Sequence, residues 1–561
     1  MNTPSSQRSL DASKHSPDVV EVSTFLGLGG LSPYRIEKTE QATCVRVFWG
    51  RLAVWLVVLA GLGWLALAGG IYGFVKYRRG FTEVRYSQVL LLPVDLQQYR
   101  RAKGEFLIRQ GLAQAEAQEW RAAFSSLRAG LVDVPEHQEA RLLVARIFLM
   151  AGRPDAASEV LLKGLEQPGA ELDYLRTVLG YFFNQQADAT VIAFVSGMRG
   201  ELQPGTPLHR MANTALAYAY FNRGRHVEAL ATLRETGLTG TPEGHFVAAR
   251  VAWDRGDRDD AIRQVELLSQ RVPTDQEIHR TLIHYLGEEG RWADVRRISL
   301  LRQIALPDQP EAYLDQIEAC VRSGDEAARV RAEEEFLAVF AEDVPALVRL
   351  AERAAARGDA DLVARVAARC RALGELPADV AFHWVTALLT KGAHAEADAL
   401  AVRLAEEGGA GRAERERIIL DGLRAVALYG ARQPVAAEPL LRPLRETNRV
   451  PVPVLLMLAG HLERVGQPVE AERILAHGVE LDPLNQPVLV AYLHRLLELG
   501  RVEEAAPLIT RLLDMRNPPE ELLADYSAEV ASDRYLFWPP HVELRRQIED
   551  HRARARQARS G

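Results

Sequence analysis

Histidine and cysteine are the side chains best suited to nucleophilic or metal chemistry, and in this chain their spacing supports neither. Nucleophilic catalysis needs a base and an orienting group beside the nucleophile, and metal-assisted hydrolysis needs ligands gathered on one face. His279 and His284 stand five apart, which turns them to different faces of a helix. Cys44, Cys320 and Cys370 form no CxxC pair, and no HExxH, GxSxG or Walker pattern occurs. The run Glu333, Glu334, Glu335 reads as a solvated face. The expectation is no catalytic residue, no metal ligand and no cofactor site, hence no enzyme. Arg552, Arg554, Arg556 and Arg559 crowd the last ten residues. They suit either the polar side of a terminal helix, the simpler reading, or a patch for an anionic partner.

Any function must therefore reside in the elements that would hold a surface, and these are periodic. Gly256, Gly290, Gly324, Gly358 and Gly392 follow one another at intervals of 34 residues. Gly152 and Gly224 precede them, and Gly430, Gly466 and Gly500 follow less regularly. About five residues past most of these glycines comes a small or branched residue: Ala157, Ala229, Ala261, Val295, Val363, Ala397, Ala471 or Ala505. A fixed period of this length describes a helix, a tight turn and a second helix, stacked repeatedly. A solenoid has no limit on its core, so one repeat region can occupy most of 561 residues. The composition, 25% charged and 48% hydrophobic with net charge −7, is that of an ordinary folded surface and carries no nucleic-acid signature.

The clearest unit, from about 452 to 485, places Ala459, Gly466, Ala471, Leu475, Gly478 and Pro483 at spacings of 7, 5, 4, 3 and 5. This resembles the tetratricopeptide repeat. The same register fits Ala145-Gly152-Ala157-Leu161-Gly164, Ala217-Gly224-Ala229-Leu233 and Ala249-Gly256-Ala261-Val265. Between about 165 and 207 the turn glycine is missing, with Asp188 near its place, and Ile283 and Ile317 replace the expected small residue in two units. The resemblance implies an all-α fold, a right-handed solenoid of eleven or twelve helix pairs over residues 101–517. It implies a concave groove lined by the first helix of each pair. Carried onto this sequence, that places Arg146, Tyr218, Asn222, Arg250, Trp253 and Asp254 toward a bound protein segment. The Lys/Asn clamp with which some relatives hold a C-terminal carboxylate is absent, Thr214 and Tyr218 standing at its positions. The two CxxC pairs that some membrane-anchored bacterial relatives append are absent as well.

From Leu52 to Val75 the chain has 24 residues without a charge, about 36 Å as a helix against a hydrocarbon core of about 30 Å. Trp49, Tyr72 and Tyr77 lie where interfacial aromatics are expected, with Arg51 and Lys76 to Arg79 closing the ends. A transmembrane helix over residues 48–75 is the expectation. A cleaved signal peptide ending near Ala68 ranks second, because the polar leader is far too long for one. Gly69 and Gly73 form a GxxxG, a candidate contact for a homodimer. Counted over twenty residues the flanking Lys and Arg tie. Over ten residues the second flank leads, with Lys76, Arg78, Arg79 and Arg85 crowding that edge, which leans toward a cytoplasmic solenoid and leaves the opposite orientation open.

Residues 1–45 are polar and without helical periodicity, so disorder is expected there, with an apolar patch at Phe25 to Leu31. Residues 76–100 form a juxtamembrane linker. Residues 518–561 form a cap, with Tyr535 to Pro540 laid against the last repeat and an arginine-rich tail beyond. The functional expectation is a membrane-tethered scaffold that binds proteins, by analogy in envelope assembly, export or surface-polymer production. The alternative is a membrane organiser that self-associates through Gly69 and Gly73.

Overall fold

The computed structural model describes residues 21–24, 32–39, 42–78, 84–92, 95–167, 169, 171–200, 202–374, 376–408, 413–535 and 540–560. The apolar patch at Phe25 to Leu31 and the aromatic stretch Leu536 to Pro539 lie outside these residues. The chain divides into two compact units, residues 1–174 and 175–561.

The N-terminal unit opens with three antiparallel strands in sequence order: β1 (Glu21–Thr24), β2 (Tyr34–Thr39) and β3 (Ala42–Val47). Tyr34 pairs with Val47 and Glu37 with Cys44. Over these strands the structure departs from the disorder expected through residue 45. Helical period was the wrong template, because Thr43, Val45 and Val47 alternate with Ala42, Cys44 and Arg46 at the strand period of two. Helix α1 (Trp49–Gly73) follows at once and runs on through a π turn, Phe74–Arg78. Its most apolar stretch of 18 residues has a mean hydropathy of 2.2, and the helix is long and apolar enough to cross a membrane.

The chain then folds back. Short α2 (Tyr86–Leu90) lies against the second half of α1, where Trp64 Nε1 donates to the Leu90 carbonyl at 2.9 Å and Tyr86 Oη to the Leu65 carbonyl at 3.0 Å. Ala68, Val84 and Val89 are buried there with Ile71, Tyr72, Val75, Tyr99 and Phe106 around them. Two helix pairs complete the unit: α3 (Leu96–Glu116) with α4 (Trp120–Asp133), and α5 (Gln138–Met150) with α6 (Pro154–Leu165). Helices α3 and α4 approach so closely that a Cβ on Gly130 would lie 2.6 Å from Ile108 Cγ1.

The C-terminal unit is a run of ten further pairs. They are α7 (Leu172–Asn184) with α8 (Asp188–Met198), α9 (Pro207–Asn222) with α10 (His226–Glu235), and α11 (Pro242–Asp254) with α12 (Arg258–Arg271). Next come α13 (Gln276–Glu288) with α14 (Trp292–Ala305), α15 (Pro310–Ser323) with α16 (Glu326–Val339), and α17 (Val344–Ala356) with α18 (Ala360–Leu373). Then follow α19 (Ala378–Lys391) with α20 (His394–Gly408), and α21 (Glu414–Gly430) with α22 (Pro434–Glu446). The last are α23 (Val452–Arg464) with α24 (Pro468–Leu481) and α25 (Gln486–Glu498) with α26 (Val502–Asp514). Helices α27 (Glu520–Val530) and α28 (Pro540–Ser560) close the end, where Tyr526, Leu544 and Ile548 share one apolar core with α25 and α26.

The period arises at the turn. Gly256, at φ 92, lies in the left-handed region, and the amide of Asp257 reaches back to the Ala252 carbonyl at 2.9 Å, satisfying a helix-end acceptor. Three pairs use a non-glycine residue there, Gln118 at φ 61, Gln186 at φ 53 and Arg432 at φ 60. Gly430 therefore leaves the turn ladder. It sits in α21, where a Cβ would come within 2.5 Å of the His394 ring, so it is a close-packing glycine. Ala217, Ala249 and Ala459 are buried where paired helices cross, facing Ala229, Ala261 and Ala471. Ile317 at the same position is also buried, so the larger residue is accommodated without loss of the pair.

First helices of successive pairs pack directly on one another at α9–α11, α15–α17, α17–α19, α19–α21, α21–α23 and α23–α25. Among second helices α22–α24 does so comparably. That asymmetry curves this unit with its first helices on the inner side.

Candidate protein-binding groove

The groove residues fall into three places. Arg146 is exposed on α5, in the N-terminal unit. Tyr218 on α9 and Arg250 on α11 are one cluster: Arg250 Nη1 donates to Tyr218 Oη at 2.5 Å, and Tyr218 Oη donates to Glu277 Oε1 on α13 at 2.5 Å. The guanidinium of Arg250 also lies 5.0, 4.5 and 5.8 Å from the ring centroids of Tyr218, Phe221 and Phe246. Burial pushes the Tyr218 phenol well above its ordinary range against the pull of Arg250, so it remains a neutral donor. Three consecutive first helices are thereby tied together along the inner side by groups at one level.

Trp253, Asp254 and Asn222 sit at the ends of their helices and line a cleft of about 950 Å³. Trp253 stacks on Tyr285 with centroids 3.8 Å apart and planes 2° from parallel, and the Arg258 guanidinium stands 4.9 Å from its ring. Asp254 Oδ2 lies 3.3 Å from His226 Nε2. Asn222 is buried and donates to Asp188 Oδ1 at 2.7 Å.

Asp188 is the residue that the sequence placed near a missing turn glycine. The turn is made by Gln186 instead, and the Asp188 side chain, with no exposed surface, accepts from Arg516 Nε at 2.8 Å and from Nη2 at 3.0 Å. Arg516, in the loop between α26 and α27, donates as well to the Phe183 carbonyl at 2.9 Å. Its backbone amide donates to Gln186 Oε1 at 3.3 Å. Beside this clasp, Arg223 Nη1 donates to the Asp514 carbonyl at 2.6 Å and Gln186 Nε2 to the Leu484 carbonyl at 3.3 Å. The turns of the first pairs of this unit thus touch the loops of its last pairs. In a ribbon of helix hairpins those are opposite edges, so the ten pairs complete one superhelical turn whose edges meet.

Glu277, Arg516 and Tyr285 were not singled out by sequence, and Asp188 was noted only as standing near the missing turn glycine. Tyr285 follows Trp253 by nearly one period and was legible in principle. Arg516 lies 328 positions from Asp188, and no local signal reports such a partner. The reading of Glu333 as solvated is corrected: it is buried, held by Arg329 at 2.5 Å, Arg357 at 2.8 Å and Arg365 at 3.2 Å, while Glu334 and Glu335 are exposed. Burial raises the Glu333 carboxyl above its ordinary value, opposed by the arginines. His279 is buried with Nε2 2.9 Å from the Pro273 carbonyl, and His284 is exposed. Burial raises the Cys320 and Cys370 thiols. Among the described residues no group of His, Cys, Asp and Glu is arranged to hold a metal.

No known family profile matches the chain, and no curated protein does. Among solved structures the chain is similar to the pentatricopeptide repeat protein PPR10 in complex with an 18-nt psaJ RNA element, at 14% identity over 82% of this chain and 69% of that one, with TM-score 0.41. It is similar to yeast Tom70 at 13% identity, over 88% and 99% of the two chains, with TM-score 0.30. Naa15/Naa10 bound to HypK matches at 14% identity over 89% and 78%, with TM-score 0.26. The helix pairs, the left-handed turn residues and the small residues at the crossings make this chain a tetratricopeptide-like α-solenoid.

Proposed function

We propose that the chain is a membrane-tethered scaffold whose first helices hold a segment of another protein. The observation that carries this reading is the inner side of the C-terminal unit, where α9, α11 and α13 bring Tyr218, Arg250 and Glu277 into one linked cluster, with Trp253 stacked on the buried Tyr285 at the adjoining helix ends. Aromatic and arginine side chains in rigid, partly desolvated settings are the residue types that dominate protein recognition. The tether is α1, by its length and apolar character. Envelope assembly, export or surface-polymer production remains the pathway suggested by resemblance to membrane-anchored repeat proteins, and the cytoplasm the side favoured by Lys76, Arg78, Arg79 and Arg85. Cross-linking in native membranes should capture defined proteins, and recovery should fall when Tyr218, Arg250 and Asp254 are replaced by alanine in a chain that keeps its helicity. Undiminished recovery would remove these residues from the groove.

A second reading, self-association through α1, is favoured by the surroundings of Gly69 and Gly73. A Cβ at either would meet nothing within 4 Å, whereas Gly104, Gly111 and Gly130 are consumed by packing within the chain. That face of α1 is open to a second helix. Replacing both glycines by isoleucine should shift detergent-solubilised protein from dimer to monomer in sedimentation, and an unchanged distribution would count against the reading.

A further inference from the structure

Adjacent pairs of the C-terminal unit are joined by apolar cores that run from one pair into the next, one of them continuous from Tyr313 to Leu475. The seam where the edges of the superhelical turn meet is built differently. None of these four cores crosses it. Its links include the Arg516 clasp on Asp188, Phe183 and Gln186, with the guanidinium 5.5 Å from the Phe183 ring centroid, the Arg223 contact with Asp514, and the Gln186 contact with Leu484. The cleft of about 950 Å³ lies along it, so the seam is also incompletely filled. Once the seam parts, water can replace the partners of these polar groups, whereas it cannot replace those of buried apolar side chains. The seam therefore differs in kind from the joints between neighbouring pairs.

We propose that the seam is a gate: the C-terminal unit opens by parting α7–α10 from α24–α27, admits a protein segment to its inner side, and closes on it through Arg516. This rests on the groove reading given above for its cargo, but not for its motion. A solenoid whose turn is closed can take up the middle of a long partner only by opening or by threading a free end. A single residue that ties both oxygens of a buried carboxylate and a helix-end carbonyl is suited to hold such a closure. Asp188 is in turn fixed by Asn222, so the acceptor is preformed on the first pairs and the loop bearing Arg516 is the moving part.

The test uses the full chain in detergent with Cys44→Ser, spin labels at Val227→Cys on α10 and Val469→Cys on α24, both exposed positions, and pulsed dipolar distances between them. The parent should give a narrow distribution. Arg516→Ala should broaden and lengthen it by at least the width of a helix, about 10 Å, with circular dichroism unchanged. Asp188→Asn, which keeps the side-chain volume, should do the same in smaller degree. A parent-like distribution in both variants would overturn the gate. A second measurement separates gate from groove. Cysteines at Gln186 and Leu484 bridged by a short bis-maleimide should lower recovery of cross-linked partners about tenfold or more relative to the unbridged chain. Equal recovery overturns gating, whereas loss of capture in both forms speaks against the groove and leaves the distance result to decide the gate.

Discussion

His461 on α23 is almost wholly buried, and burial, with smaller contributions from Arg464 and His394, lowers its pKa to about 4. In the unfolded chain a histidine titrates near 6.5. Because the folded value is the lower one, the unfolded state binds the extra proton first as pH falls. Stability is unaffected above about pH 6.5 and declines between there and about pH 4, by about 1.4 kcal/mol per pH unit or about 2 kcal/mol at pH 5. Burial shifts His279 and His383 in the same direction. Urea unfolding should therefore show a lower stability at pH 5 than at pH 7, and His461→Leu should shrink that difference by about 2 kcal/mol. An equal pH effect in the variant would refute the assignment. Glu333 marks what single residues do not disclose. Three acidic neighbours in sequence look alike, yet only Glu333, the first of them, receives Arg357 and Arg365, from 24 and 32 positions away.

At the scale of the element, turns are held by one residue each. A non-glycine residue in the left-handed region costs about 1 to 2 kcal/mol, so Arg432→Gly should stabilise its pair by up to about 1 kcal/mol, and Gly256→Ala should destabilise its own by a similar amount. Opposite displacements of the thermal midpoint are expected, and shifts of the same sign would sink the argument. The same physics explains what sequence disclosed. Turn glycines and crossing alanines answer to constraints internal to one hairpin, so Gly256, Ala249 and Ala261 announce their helices. Gly430 imitates that signal because packing on His394 demands the same missing side chain. Strands β1 to β3 escaped because their alternation is short and lies in a polar segment. The repeat register picked out Tyr218, Arg250, Trp253 and Asp254 as candidates for the groove. Their arrangement was not, since it depends on Glu277 and Tyr285 from the next helix and on Arg516 from the far end of the unit.

At the scale of the whole molecule, with α1 as the proposed membrane tether, its contacts limit where the membrane edge would lie. A crossing of about 30 Å needs about 20 helical residues. From Leu52, the first residue after Arg51, that count ends at Ile71, one turn past Ala68, which is the residue of the helix that the chain itself buries. From Ala68 onward one side of the helix is clad by Val84, Val89, Tyr99 and Phe106, and helix α3, which supplies the last two, also carries Arg100, Arg101, Lys103 and Glu105. Four charges beside the helix would be costly in hydrocarbon. The final turns, through the π turn to Arg78, are therefore expected to stand above the bilayer as a stalk, with Tyr72 and Tyr86, whose rings meet edge to face, at the headgroup level where amphipathic rings are favoured. Single cysteines at Val58 and Phe74, both exposed on the protein surface, distinguish this from a span running to Val75. In intact membranes a water-soluble maleimide should label Phe74→Cys and leave Val58→Cys unmodified, with both reacting after detergent. Protection of both positions would place the clad half of α1 in the bilayer and require α2 and the first turns of α3 to move away from it.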